Sequence, residues 1–192
     1  MAEIKMAMSM LARNFRLERV PGAPPANECF TFTMTPDALP PATYSVTRSI
    51  AIKAPAERIQ PLISDFHNWQ LWSPWAKLDP AIKHTYSGAP KDLGAVYAWE
   101  GNKDVGSGRM EVISLTQPTK VGIKLDFFVP IASTAMTDFV LEPKGDTTTV
   151  TWTMSGKTDF MAKMMSIFVS MDSMIGPAFE SGLSQMKAVA EK

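Results

Sequence analysis

The sequence predicts an α+β domain: a curved antiparallel sheet of seven strands, crossed by one long C-terminal helix, with two short helices after the first strand. Three observations lead there. Strand-like stretches follow one another at 82–87, 94–100, 107–115, 121–128, 135–142 and 148–155 with no helical pattern between them. Strands so closely spaced pair antiparallel, because parallel neighbours need long crossovers. The breaks between them carry turn residues, in "SGAPKDLG", "EGNKDVGSG", "TQPTK", "VPIAS" and "EPKGDTT". The end of the chain then changes period, with apolar residues at spacings of three and four.

The chain begins with a different texture. In "MAEIKMAMSMLARNFRLERV", Ile4, Met8, Leu11 and Phe15 recur at helical spacing, with Lys5, Arg13, Arg16 and Arg19 mostly elsewhere. That pattern suits an amphipathic helix on a membrane surface or a partner, a helix packed on its own domain, or an unordered tail. "VPGAPPANECFTFTMTPDALPPAT" is proline-rich and has no period, which reads as an extended arm. Residues 1–43 are therefore expected to form an extension, and residues 44–192 the folded domain.

The first strand alternates Tyr44, Val46, Ile50 and Ile52 on one face, with Arg48 intruding at the same parity. "APAERIQPLISDF" starts a helix at Pro55 and carries Ile59, Leu62, Ile63 and Phe66 as its stripe. Pro61 is expected to kink or shorten it. "FHNWQLWSPWAKLDP" then places Trp69, Trp72 and Trp75 at intervals of three in a chain with 5 Trp. A short second helix is expected at 68–72, stopped by Pro74. In the six later strands Ile123, Leu125 and Phe127 alternate cleanly, as do Val150, Trp152 and Met154. The closing helix carries Phe160, Met164, Phe168, Met171, Ile175, Phe179, Leu183 and Met186 on one stripe, with a bend expected at Gly176-Pro177. About thirty helical residues reach roughly 45 Å, enough to cross a concave sheet.

Composition excludes several function classes. The 19 basic and 19 acidic residues cancel, so no global field draws the chain to nucleic acid. The single Cys29 rules out an intramolecular disulfide and a cysteine-rich metal site. No apolar run is long enough to span a bilayer, and no signal-peptide core is present. A cytoplasmic protein is expected, touching a membrane through its N-terminal segment if at all. The 14 Met are unusually many, and such side chains suit irregular cores or adaptable binding cavities.

The order of elements, with "DFHNWQLWSPWAKLDP", "GAVYAWEGN", "VGSGRMEV" and "VTWTMSG", resembles the polyketide cyclase/dehydrase branch of the START-like, or SRPBCC, superfamily over residues 44–190. The resemblance implies a helix-grip fold, in which the sheet wraps the long helix around a deep apolar cavity. It also implies a wide choice of roles, from lipid carriers, receptors and chaperone cofactors to enzymes. Relatives of this branch often carry a hydrophobic anchor before the first strand, a place taken here by the proline-rich arm.

Catalytic groups are sparse. His67 and His84 have no metal-ligand spacing and read as surface or boundary residues. Cys29 lies in the arm, and the glycines of "GNKDVGSG" connect strands without opening a helix, so no phosphate cradle forms. No metal or cofactor is expected. Arg48, Arg109, Glu111 and Asp126 are the candidate acid, base or oxyanion partners if any points into the cavity. Alternation sets Glu100 opposite Tyr97 and Trp99, toward solvent. The tryptophans either plug one end of the sheet or contact a ligand directly.

The preferred reading is a module that binds a small hydrophobic or aromatic molecule, lipid- or polyketide-like. Its expected lining is Trp69, Trp72, Trp99, Phe127, Phe139, Trp152, Met154, Phe168, Met171 and Ile175. The alternatives are a cyclase/dehydratase-type enzyme with a buried Arg or carboxylate, and a chaperone-cofactor-like interaction domain with an exposed apolar groove.

Overall fold

The structure is a computed structural model, and it describes residues 17–19, 30–32, 42–76, 78–130, 132–158 and 171–192. The chain divides into two compact units, Met1–Ala42 and Thr43–Lys192. In the first, β1 (Leu17–Arg19) pairs antiparallel with β2 (Phe30–Phe32), Leu17 opposite Phe32. The helical period noted for the first twenty residues therefore does not extend through Leu17–Arg19. Cross-strand pairing with the aromatic, β-favouring "FTF" overrides a weak local preference there. The earlier part of that stretch lies outside the described residues.

The second unit begins with β3 (Ala42–Ile52), α1 (Ala56–Ser64) and a 3-10 helix (Phe66–Leu71). Six strands follow: β4 (Lys83–Gly88), β5 (Ala95–Glu100), β6 (Ser107–Thr116), β7 (Lys120–Val129), β8 (Ser133–Lys144) and β9 (Thr147–Thr158). The described part of the last helix is α2 (Met171–Ala190). The strands form one seven-stranded sheet in the order β3-β9-β8-β7-β6-β5-β4, every pairing given between β4 and β9 being antiparallel. β3 and β4 are consecutive in the chain but lie at opposite edges. The connection between them must therefore cross the sheet, and it does so as α1 and the 3-10 helix.

Alternation fixes which face these helices cover. Tyr97 and Trp99 on β5, Met110 and Val112 on β6, Val121, Ile123 and Leu125 on β7, Phe139 and Leu141 on β8, and Val150, Trp152 and Met154 on β9 are all buried. Apart from the buried Gly122, intervening residues are more exposed, Glu100 among them, as a one-sided antiparallel sheet requires. The register slips between Ser107 and Gly108 and again between Val112 and Ser114. Such irregularities bend and twist a sheet, which helps it curve.

α1 buries Ile59 and Ile63 on this inner face. Pro61 sits inside it and the helix ends three residues later, with the Asp65 N–H on the Pro61 carbonyl. α2 lays Phe179, Leu183, Met186 and Ala190 against the sheet, each at most 1% exposed. It runs through Gly176 and Pro177 as one helix. Phe160, Met164 and Phe168 of the expected stripe, and the side chain of Met171, lie outside the description.

Candidate functional site: the inner face of the sheet

The interval of three among the tryptophans has a direct structural cause. A 3-10 helix has three residues per turn, so side chains three apart eclipse. Phe66, Trp69 and Trp72 accordingly form one column, with ring centroids 5.6 Å and 4.7 Å apart. The column is fixed at its polar ends. Asp65 caps the helix by accepting from the His67 N–H, while the Trp69 and Trp72 indoles donate to the Ile63 and Leu62 carbonyls at 2.8 and 2.7 Å. Both indoles are buried, their N–H groups satisfied by α1, so they act as a plug tied to the preceding helix.

That column meets the sheet at Trp152. The Trp152 ring stacks on Phe179 at 3.8 Å and 7°, and on Phe139 at 4.9 Å and 26°. Trp69, Trp72 and Trp75 contact it edge-on, at 6.4, 5.6 and 6.1 Å. Gly182 permits the approach of α2, since a Cβ there would lie 3.1 Å from Cζ3 of Trp152. One half of the inner face is thus filled by aromatic rings. The Trp152 indole N–H is buried there and has no hydrogen-bond partner among the described residues.

The other half is lined more loosely. Tyr97, Trp99, Met110 and Leu125 retain 7–8% exposure, against 2% or less for Trp72, Phe139, Trp152 and Phe179. Trp99 lies over Gly108, where a Cβ would come within 2.5 Å of its ring, and meets Phe127 edge-on at 6.1 Å. Thr137 places a buried hydroxyl-bearing side chain on the same face, and Ile175 of α2 packs against the core from the helix side.

A polar pair closes this half at the β4 edge. His84 Nδ1 lies 2.9 Å from the Tyr97 hydroxyl and 3.4 Å from Gln70 Nε2. Burial, and then the neighbouring Tyr86, push the Tyr97 phenol up to about 12, so it remains a proton donor at neutral pH. His67 stacks on Tyr86 at 4.0 Å and bonds Asp65 through Nδ1 at 2.9 Å. Between these elements lies a small cleft of about 170 Å³, walled by Phe66, His67, Tyr86 and the 87–90 backbone. Sequence reading made both histidines surface or boundary residues, and His67 is exposed while His84 is half-buried. What brings His84 beside Tyr97 is the β4–β5 register, with His84 opposite Trp99, and no local pattern announces it.

The charged candidates fall elsewhere. Arg109 and Glu111 alternate with the buried Gly108, Met110 and Val112, so they point away from the inner face, where they bond each other at 2.7 Å. Asp126, opposite Arg109, belongs to the same outward group. Burial alone would raise its carboxyl, yet the Thr134 hydroxyl and Lys124 ammonium outweigh this and hold it below the usual range. Arg48 does face inward, but it is engaged. It bonds Asp172 through both terminal nitrogens, at 2.7 and 3.0 Å, and Glu180 through Nε at 2.7 Å. Asp172 first, then Glu180, raise its pKa further, so it stays charged. Its guanidinium occupies the space left by Gly176, where a Cβ would clash. Among the described residues no cluster of His, Cys, Asp or Glu is suited to a metal.

An antiparallel sheet closed over a C-terminal helix, with an aromatic and aliphatic inner face, defines a helix-grip domain. Residues 43–191 match the family described as polyketide cyclase / dehydrase and lipid transport, and the chain belongs to that family. No curated protein matches it in sequence. Among solved structures, a protein from Chromobacterium violaceum superposes with a TM-score of 0.57 at 11% identity, covering 77% of this chain and 97% of that one. The ginseng major latex-like protein 151 from Panax ginseng gives 0.55 at 14%, covering 78% and 99%. The Aha1 dimer from Colwellia psychrerythraea gives 0.51 at 21%, covering 77% and 96%. At these identities the likeness establishes the fold alone.

Proposed function

We propose that the 43–192 domain binds a small hydrophobic or aromatic molecule between the inner face of the sheet and the C-terminal helix. One observation carries this reading: the inner face is mainly apolar, and Tyr97, Trp99, Met110 and Leu125 on one half of it keep 7–8% exposure. A largely apolar pocket with a few polar groups is the usual form of a small-molecule site. The family description, which includes lipid transport, agrees with it. Of the expected lining, Trp99, Phe127, Met154 and Ile175 fit ligand contact, whereas Trp69, Trp72, Phe139 and the ring faces of Trp152 belong chiefly to the aromatic plug. Native mass spectrometry of freshly purified protein, with organic extraction of what copurifies, tests the proposal. A stoichiometric apolar adduct is expected. A clean apo mass, with no thermal shift across fatty acids and aromatic polyketides, would count against it.

A second reading, proton-transfer catalysis on a polyketide-like chain, is favoured by the His84–Tyr97 pair. A neutral phenol held by an imidazole is able to donate to a ligand carbonyl while the imidazole takes up a proton. Tyr97→Phe separates the two readings: a carrier keeps its ligand affinity within a few-fold, while an enzyme loses turnover with binding retained.

A further inference from the structure

The Trp152 N–H stands apart from the other indoles of this interior. Those of Trp69, Trp72 and Trp99 each donate to a backbone carbonyl, at 2.8, 2.7 and 3.3 Å. Trp152 is 2% exposed, sandwiched between Phe139 and Phe179, and its N–H has no acceptor among the described residues. Phe179 of α2 covers a face of the ring, and the approach of Gly182 is to Cζ3, on the side of the indole opposite the nitrogen. The N–H edge therefore points away from the Gly182 approach. Buried donors are almost always paired, and an unpaired one is costly. Thr137 lies diagonally across the β8–β9 pair, since Trp152 faces Phe139 and Thr137 faces Met154. Diagonal neighbours of this kind are about 7–8 Å apart.

We propose that the Trp152 indole N–H is the polar anchor of the interior site, and that the natural ligand is an apolar molecule bearing one hydrogen-bond-accepting oxygen. The inference rests on the binding reading above and narrows its ligand class. The oxygen, a ketone, ester or quinone carbonyl, accepts from Trp152, with the Thr137 hydroxyl as the nearest second polar side chain on the adjoining strand. The apolar body then extends toward Met154, Leu125 and Met110. Pure hydrocarbons leave the donor unpaired and bind less well than their size predicts.

A matched pair of probes tests this, 2-acetylnaphthalene against 2-ethylnaphthalene, with wild type and Trp152→Phe. The substitution removes the N–H and keeps an aromatic ring. Its expected effect is a fall of roughly three- to tenfold in the ketone-to-hydrocarbon affinity ratio, the worth of one net hydrogen bond, whatever the change in hydrocarbon affinity itself. An unchanged ratio in a variant that still binds the hydrocarbon overturns the anchor and leaves the binding reading standing. If wild type takes up neither probe, the binding reading falls and the anchor with it. Should the variant not fold, the wild-type indole N–H resonance of Trp152 decides. A downfield shift with the ketone and not the hydrocarbon supports the anchor, and no such difference at saturation overturns it.

Discussion

The two halves of the inner face come from one sheet and the same alternation, β8 and β9 on one side and β5 to β7 on the other, yet they differ in how closely they are packed. Around Trp152 the face meets α1, the 3-10 column and α2 together, and rings stack as close as 3.8 Å. Around Trp99 and Met110 the side chains keep 7–8% exposure, and Gly108 leaves room for the Trp99 ring. The contrast teaches that an apolar pattern specifies a face. What that face does depends on which elements the topology carries across it. The first half is closely packed by stacked rings, and the second is the one proposed above to take a ligand.

Trp152→Ala is the strongest way to break that contrast. It removes a ring stacked on two others, and a loss of about 3–5 kcal/mol is expected in denaturant unfolding. Met110→Ala in the looser half should cost about 2 kcal/mol, the low end for such truncations. Equal losses at both sites would erase the distinction. Gly108→Ala comes next. Its Cβ would meet the Trp99 ring at 2.5 Å and the Asp126 carbonyl at 2.6 Å, so overpacking of about 1–3 kcal/mol is expected. Displaced Trp99 fluorescence should accompany it, and an unchanged emission maximum would mean that the indole is not held over Gly108.

Smaller effects sharpen the picture at its polar edges. The Tyr97 phenol titrates at about 12 in the fold, above its unfolded value of about 10. Its raised pKa thus favours the fold below about pH 10, and that contribution is lost as pH rises toward 12. Tyr97→Phe should flatten the alkaline limb of stability against pH, and an unaltered limb would show that burial does not hold the phenol. The smallest effect belongs to Arg48, whose partners Asp172 and Glu180 are 56% and 63% exposed. Arg48→Met should lower the melting temperature slightly at low salt and hardly at all in 1 M NaCl, because exposed pairs are screened. Gly176→Ala should act in the same salt-dependent way, since its Cβ displaces the guanidinium.

By itself the sequence determined the order of elements from β3 onward, the antiparallel sheet and its inner face. These follow from local periods of two and 3.6 and from turn residues, which neighbouring residues encode without reference to the rest of the chain. Strand ends were legible to within one to three residues: 82–87 became Lys83–Gly88, and 148–155 became Thr147–Thr158. The interval of three in Trp69, Trp72 and Trp75 led to a short helix expected at 68–72, and the structure has it as a 3-10 helix over Phe66–Leu71. Tertiary structure alone decided the rest. Edge placement of β3 and β4 sent the 3-10 column over one half of the sheet, and strand register set His84 beside Tyr97. Arg48 was a candidate oxyanion partner in an apolar strand, and its own partners, Asp172 and Glu180, stand 124 and 132 residues away. The unpaired N–H of Trp152 was likewise invisible, because a donor lacks a partner only relative to the groups that folding brings around it.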